Sequence, residues 1–234
     1  MLTERQKGIL KILTNEYIKE FSPISSNYLV SKCGLDFSSA TVRNELSILE
    51  DCGYLKKNYY SSGSIPTNKA YEFLVNEILQ EKREKLEKEQ FDNQNNLFFK
   101  ELDELSDFIA SRLKIFNAII NDQLEFYYDG VEELFASPDF QEKDEFLHLA
   151  KTIDLVEDFY KDIFYKVINR EPMIFIGKNN PFNLKSDLIS FITGSVQTTK
   201  NEKIAFILIG PSRMPYEKNW LFLNKLLNNL KINN

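Results

Sequence analysis

The chain has 234 residues, 43% hydrophobic and 27% charged, with only 8 Gly and 7 Pro, which suits one large domain or a small one joined to a medium one and excludes global disorder. The formal net charge of −6 speaks against nucleic-acid binding through bulk charge, yet residues 1–70 carry nine Lys/Arg against seven Asp/Glu (+2) and residues 71–234 carry 20 against 28 (−8), so a mildly basic module is joined to an acidic one. Cys33, Cys52 and the lone His148 supply neither a disulfide framework nor a zinc site, and no apolar run of about 18 residues is present, so a cytoplasmic protein with no metal and no membrane contact is expected.

Thr3-Glu4-Arg5-Gln6 has the form of a capping box and predicts a first helix over about 3–21, ended before Pro23. Ser25 or Ser26 can cap a second helix of barely two turns, with Tyr28, Leu29 and Cys33 as its apolar positions and Gly34 as its stop. Ser38 caps a third helix, in which Val42, Leu46 and Leu49 form one stripe and Gly53 follows. The β-prone run from Tyr54 to Tyr60, the turn composition Ser61-Ser62-Gly63-Ser64, and Ile65 before Pro66 predict a short hairpin. Three helices and a hairpin in this order form a winged helix-turn-helix over 1–70. Thr67 can cap the helix that leaves it.

Residues 71–125 read as a helical linker with possible dimerisation helices. The alternating charges of 81–89 suit a solvated helix face. Phe98, Leu102, Leu105, Ile109, Leu113, Phe116, Ile120 and Leu124 recur at spacings of three and four. That stripe covers either the chain's own second domain or a second copy. Residues 126–168 read as helical, interrupted at Ser137-Pro138-Asp139. Three strands follow at 173–177, 188–193 and 204–210, and a closing helix spans about 215–231. The fold class is α+β.

The exposed side of the third helix carries Ser39, Ala40, Thr41, Arg43, Asn44 and Ser47, a compact surface nearly free of acid. Asn can pair with adenine, Arg with guanine, Ser and Thr with several base edges, and Ala with the thymine methyl. Lys56 and Lys57 on the hairpin can reach phosphates. The competing reading of Arg43 is an ordinary surface residue paired with Glu50 or with solvent. The Gly210-Pro211-Ser212-Arg213 turn admits an anion site or a structural turn with Arg213 on a core-edge acid. His148, in Phe146-Leu147-His148-Leu149, reads as a packed helix residue, and with no nucleophile and base close in sequence the chain does not read as an enzyme.

Leu2-Thr3-Glu4-Arg5-Gln6, Pro23-Ile24-Ser25-Ser26, Ser38-Ser39-Ala40-Thr41-Val42-Arg43-Asn44-Glu45, Leu49-Glu50-Asp51-Cys52-Gly53-Tyr54-Leu55 and Ser61-Ser62-Gly63-Ser64-Ile65-Pro66-Thr67 together resemble the heat-inducible transcription repressor HrcA family. Tyr127-Tyr128-Asp129-Gly130-Val131, Ser137-Pro138-Asp139-Phe140, Phe175-Ile176-Gly177-Lys178-Asn179-Asn180-Pro181 and Ile209-Gly210-Pro211-Ser212-Arg213-Met214-Pro215-Tyr216 resemble its regulatory part. The resemblance implies a homodimer that binds an inverted-repeat operator upstream of chaperone genes, a GAF-like regulatory domain over 126–234, and the GroEL chaperonin as a partner that keeps the repressor active. It implies no cofactor. Ser62 and Ser64 fall in the wing, Ser64 at its tip, where the family usually has Arg. The stretch between the two motif sets is about a hundred residues shorter than is usual, which implies a reduced C-terminal domain. A shortened domain of this kind leaves a second class of function open, a ligand-sensing winged-helix regulator of other genes.

Overall fold

The computed structural model describes residues 2–57, 63–86, 101–169, 171–180, 182–183 and 186–233. Two compact units divide the chain, residues 1–88 and 89–234.

The first unit is built from α1 (Glu4–Glu20), α2 (Ser26–Cys33), α3 (Ser39–Asp51), β1 (Leu55–Lys56), β2 (Ile65–Pro66) and α4 (Asn68–Leu86). Its helix ends follow from local chemistry. The Thr3 hydroxyl accepts the Gln6 N–H while the Gln6 side chain accepts the Thr3 N–H, a closed capping box. Ser25 and Ser38 cap α2 and α3 by accepting the N–H groups of Tyr28 and Thr41. Gly34 ends α2 at φ 66°, a left-handed conformation that costs glycine little. The apolar stripes meet in one core of Ile9, Leu10, Leu13, Ile24, Leu29, Val42, Leu46, Leu49, Leu55 and Ala70. Each large member contributes about 1.5–3 kcal/mol when fully buried.

The hairpin pairs Leu55 with Pro66 and Lys56 with Ile65, antiparallel. Ser64 adds a third, bridging strand by exchanging backbone hydrogen bonds with Ile24, at 2.8 and 3.0 Å. Gly63 permits this approach, since a Cβ there would lie 2.6 Å from the Ile24 carbonyl carbon. Thr67 turns its hydroxyl back toward the carbonyls of Gly53 and Tyr54, at 2.8 and 3.0 Å. It ties the wing to the end of α3 where the sequence suggested a cap. α4 packs on α1 and β2, so the winged-helix unit extends past residue 70.

The second unit holds α5 (Leu102–Leu113), β3 (Phe116–Asn121), β4 (Phe126–Asp129), α6 (Val131–Phe135), a 3-10 turn at Pro138–Phe140, α7 (Lys143–Val167), β5 (Met173–Ile176), β6 (Ile189–Gln197), β7 (Lys203–Pro211) and α8 (Tyr216–Asn233). All five strands form one antiparallel sheet in the order β4-β3-β7-β6-β5. Phe116, Ala118, Ile120, Phe191, Ala205 and Ile207 pack on one side with Leu149, Ile153 and Val156 of α7. α8 lies against β6, α5 lies against β3 and β4, and α5 meets α8 where the Phe108 and Phe222 rings stand 6.1 Å apart. The sheet is therefore covered on both faces.

Here the structure corrects the helical reading of 71–125 and of 126–129. The stripe is broken at Lys114, which ends α5 at φ 59° without a glycine to signal it. Phe116–Asn121 is a strand buried at all six positions, so it shows no alternation. Phe116, Ile120 and Leu124 therefore mimic a helical spacing. The C-terminal sheet has five strands where three were expected. Leu105, Ile109 and Leu113 are 1%, 0% and 4% exposed within the chain's own second unit, so the stripe is not a dimer seam. Part of the 81–89 charge run, and Phe98, lie outside the described residues.

Candidate nucleic-acid interface

The α2–turn–α3 pair is locked by polar contacts at its inner corner. Ser39 donates its hydroxyl to Asn27 Oδ1 and lies 3.1 Å from the Ser26 hydroxyl. On the far side Tyr28 donates to Glu16, at 3.1 Å, and Lys19 pairs with the same carboxylate at 2.7 Å. Desolvation and the Glu16 hydrogen bond push the Tyr28 phenol up to about 12. The Lys19 hydrogen bond holds the Glu16 carboxyl below its usual range. Burial raises the Cys33 thiol, which keeps it a poor nucleophile.

Buried Val42, Leu46 and Leu49 turn α3 so that Ala40, Arg43, Asn44 and Ser47 are exposed and Thr41 is half-exposed. Thr41 places its hydroxyl 2.8 Å from that of Ser38, inside the cap. Ser39 is half-buried and spent on α2, so it orients the helix rather than facing outward. Ile48, 44% exposed one turn after Asn44, adds an apolar side chain to this surface that sequence reasoning left out because it sought polar groups. The sign of an apolar residue outside the Val42, Leu46, Leu49 stripe was there to be read.

Two of the three acids of α3, Glu45 and Glu50, are turned away from that surface, while Asp51 stays exposed at its C-terminal end. Glu45 takes Arg5 at 3.2 Å and the Gln6 amide at 3.0 Å, and the Arg5 guanidinium sits 5.0 Å over the Phe37 ring. Glu50 takes Lys57 at 2.9 Å and the Ser64 hydroxyl at 2.8 Å. Arg43 is therefore not the partner of Glu50; among the described residues no ion pair holds it and it faces solvent, which fits both the groove-reading role and the ordinary surface residue. Lys56 is exposed. Ser64 is only 1% exposed, which corrects its expected place at the wing tip, because its backbone is consumed by the bridge to Ile24. Ser62 lies outside the described residues.

The second motif set has a structural explanation. Arg213 pairs with Asp139 at 2.8 Å, both about 15% exposed, at 15% and 14%, and Asp139 also accepts the Ser137 hydroxyl. The buried Tyr216 phenol lies 2.6 Å from the Ser212 carbonyl and 3.0 Å from the Ser190 hydroxyl, pinning the turn after β7. That arrangement fits the structural-turn alternative for Arg213. His148 is exposed on α7, not packed. Among the described residues no cluster of His, Cys, Asp or Glu could hold a metal ion, and no helix is long and apolar enough to cross a membrane.

A three-helix core with a hairpin and a capped, exposed helix face carrying Ala40, Arg43, Asn44 and Ser47 defines a winged helix-turn-helix protein, here carrying a five-stranded α+β second unit. Residues 1–80 match the family model for the winged helix-turn-helix transcription repressor HrcA, DNA-binding. Residues 67–219 match that for the HrcA protein C terminal domain, so the chain belongs to the HrcA family. Its relatives include heat-inducible transcription repressors HrcA of Fusobacterium nucleatum, 34% identical over 120 residues covering 51% of this chain and 34% of that protein, and of Thermodesulfovibrio yellowstonii, 45% identical over 80 residues covering 34% and 23%. The matched part thus spans about a quarter to a third of those relatives. A crystal structure of a hypothetical protein superposes with a TM-score of 0.80 over 99% of this chain and 98% of that one, at 16% identity, a likeness that shows the fold alone.

Proposed function

We propose that this protein is a transcription repressor that binds operator DNA through α3 and the wing, and that it silences heat-shock or chaperone genes. One observation carries the reading. Ala40, Arg43, Asn44 and Ser47 stand together on the exposed side of α3 while Glu45 and Glu50 are folded back onto Arg5, Gln6, Lys57 and Ser64, leaving a groove-sized surface of base-reading side chains. Lys56 adds a phosphate contact. The names of the relatives, heat-inducible transcription repressors, support the repressor reading; a cytoplasmic homodimer on an inverted repeat, the GroEL chaperonin as a partner and the lack of a catalytic role complete the proposal.

Fluorescence anisotropy with intergenic DNA from upstream of the chaperone genes tests it. Binding should exceed that to scrambled DNA by about 10³-fold or more. Arg43→Ala should weaken it by about 1–3 kcal/mol, and half-sites should be needed one or two helical turns apart. Wild-type affinity in Arg43→Ala refutes the assignment. A second reading, a ligand-sensing regulator of other genes, is favoured by a cleft of about 350 Å³ lined by Leu155, Phe159, Ile163 and Phe182.

A further inference from the structure

We propose that Glu50 is a positioning residue for DNA recognition, one carboxylate that sets the wing against the reading helix by holding both arms of the hairpin. The inference rests on the DNA-binding reading above and assigns how the two reading elements are kept in register.

Glu50 lies in the last turn of α3, with its side chain 19% exposed. Oε1 accepts from the Ser64 hydroxyl at 2.8 Å, and Oε2 pairs with Lys57 Nζ at 2.9 Å. The ladder pairs Leu55 with Pro66 and Lys56 with Ile65, so Lys57 and Ser64 occupy the next rung, where the regular pairing has ended. The carboxylate closes that rung from the side. A ladder of two residue pairs is too short to hold its own orientation. Its position relative to α3 must come from outside the hairpin. Thr67 anchors the exit of the wing to Gly53 and Tyr54, and the Ser64–Ile24 bridge anchors one arm to the segment between α1 and α2. Glu50 joins both arms to α3 through one carboxylate.

This gives the two adjacent lysines different tasks. Lys56, exposed and on the opposite side of the strand, is available for phosphate. Lys57 is engaged by Glu50 and acts through position. The pair also makes a prediction of opposite sign to simple electrostatics. Deleting an acid beside a polyanion should tighten binding if charge alone mattered. Deleting the clamp should loosen specific binding, because the wing no longer meets the duplex at a fixed offset from α3.

The test uses the full chain, the tightest-binding fragment recovered from a library of intergenic DNA of the source genome, and poly(dI-dC) as non-specific competitor. Glu50→Gln keeps an acceptor for Ser64 and releases Lys57; Ser64→Ala removes the other arm. Each should weaken specific binding by about tenfold with non-specific affinity equal to wild type or tighter, and with far-UV circular dichroism unchanged. Glu50→Gln combined with Lys57→Met should bind no worse than Glu50→Gln alone, since both cut the same contact. Lys56→Ala should instead weaken both kinds of binding and lower the salt slope by about one. Specific binding by Glu50→Gln equal to or tighter than wild type overturns the clamp while leaving the DNA-binding reading intact, provided Lys56→Ala and Arg43→Ala still weaken it. If those two variants bind like wild type, the interface itself is wrong and the clamp falls with it. Should Glu50→Gln fail to fold, Ser64→Ala decides alone, because it removes one hydroxyl and no charge.

Discussion

Ile109 distinguishes a packed monomer helix from an oligomer seam. It is 0% exposed on α5, which lies against β3 and β4. Ile109→Ala removes three carbons, worth about 0.8 kcal/mol each in transfer, and leaves a cavity, for a total of about 2–5 kcal/mol. The chain's single tryptophan, Trp220, is 6% exposed in α8 and reports on the second unit only. With a urea slope of about 2 kcal/mol/M, the Trp220 fluorescence midpoint should fall by about 1–2.5 M. The shift should not depend on protein concentration, because the lost contacts lie within one chain. An unchanged midpoint with a lower sedimentation coefficient refutes the reasoning and returns the helix to an intermolecular role.

Removal of the α3 cap by Ser38→Ala, which loses the acceptor for the Thr41 N–H, should cost the winged-helix unit about 0.5–2 kcal/mol. A lower far-UV melting transition with the Trp220 transition unmoved checks it. Gly130→Ala places a Cβ 2.1 Å from the Ile115 carbonyl oxygen at φ +87°, and should destabilise the second unit by more than about 1 kcal/mol, read as a lower Trp220 midpoint; a wild-type melt would show that the turn can shift. Between α1 and α2, Tyr28 is raised from 10.0 to about 12, so its contribution is complete below pH 10 and is lost as pH rises through 12. Glu16 is lowered from 4.5, so its contribution is present above that value and is lost as pH falls through the depressed one. Urea midpoints across pH should lose their alkaline decline in Tyr28→Phe and their acid decline in Glu16→Gln.

What could be read from the sequence was what local rules decide. Thr3, Ser25 and Ser38 announce helix starts because a hydroxyl satisfies an otherwise orphaned N–H, and Gly34 announces a stop because it accepts a left-handed φ. Val42, Leu46 and Leu49 fix the rotation of α3, and hence which side carries Ala40, Arg43, Asn44 and Ser47. The failures have non-local causes. Lys114 adopts a left-handed conformation that its residue type does not advertise. β3 is buried on both faces by α5 and α7, so tertiary contact erases the period of two. Lys56 and Lys57 are indistinguishable until Glu50 comes into range, and Ser64 reads as a turn residue until Ile24, forty positions earlier in the chain, takes up its backbone.

The position of β7 in the sheet bears on how the protein is made. This strand is central, yet its partner β3 lies far upstream: Phe116 pairs with Ile209 and Asn121 with Ile204. During synthesis the winged-helix unit emerges with its sequence complete by residue 88, while β3 must wait more than eighty residues for its neighbour. Until then β4 is the one strand available to pair with it, and its other edge stays open. Such distant pairing slows closure and leaves adhesive strand edges open to other nascent chains. During synthesis, a complete winged-helix unit thus precedes a sheet that is still missing its central strand.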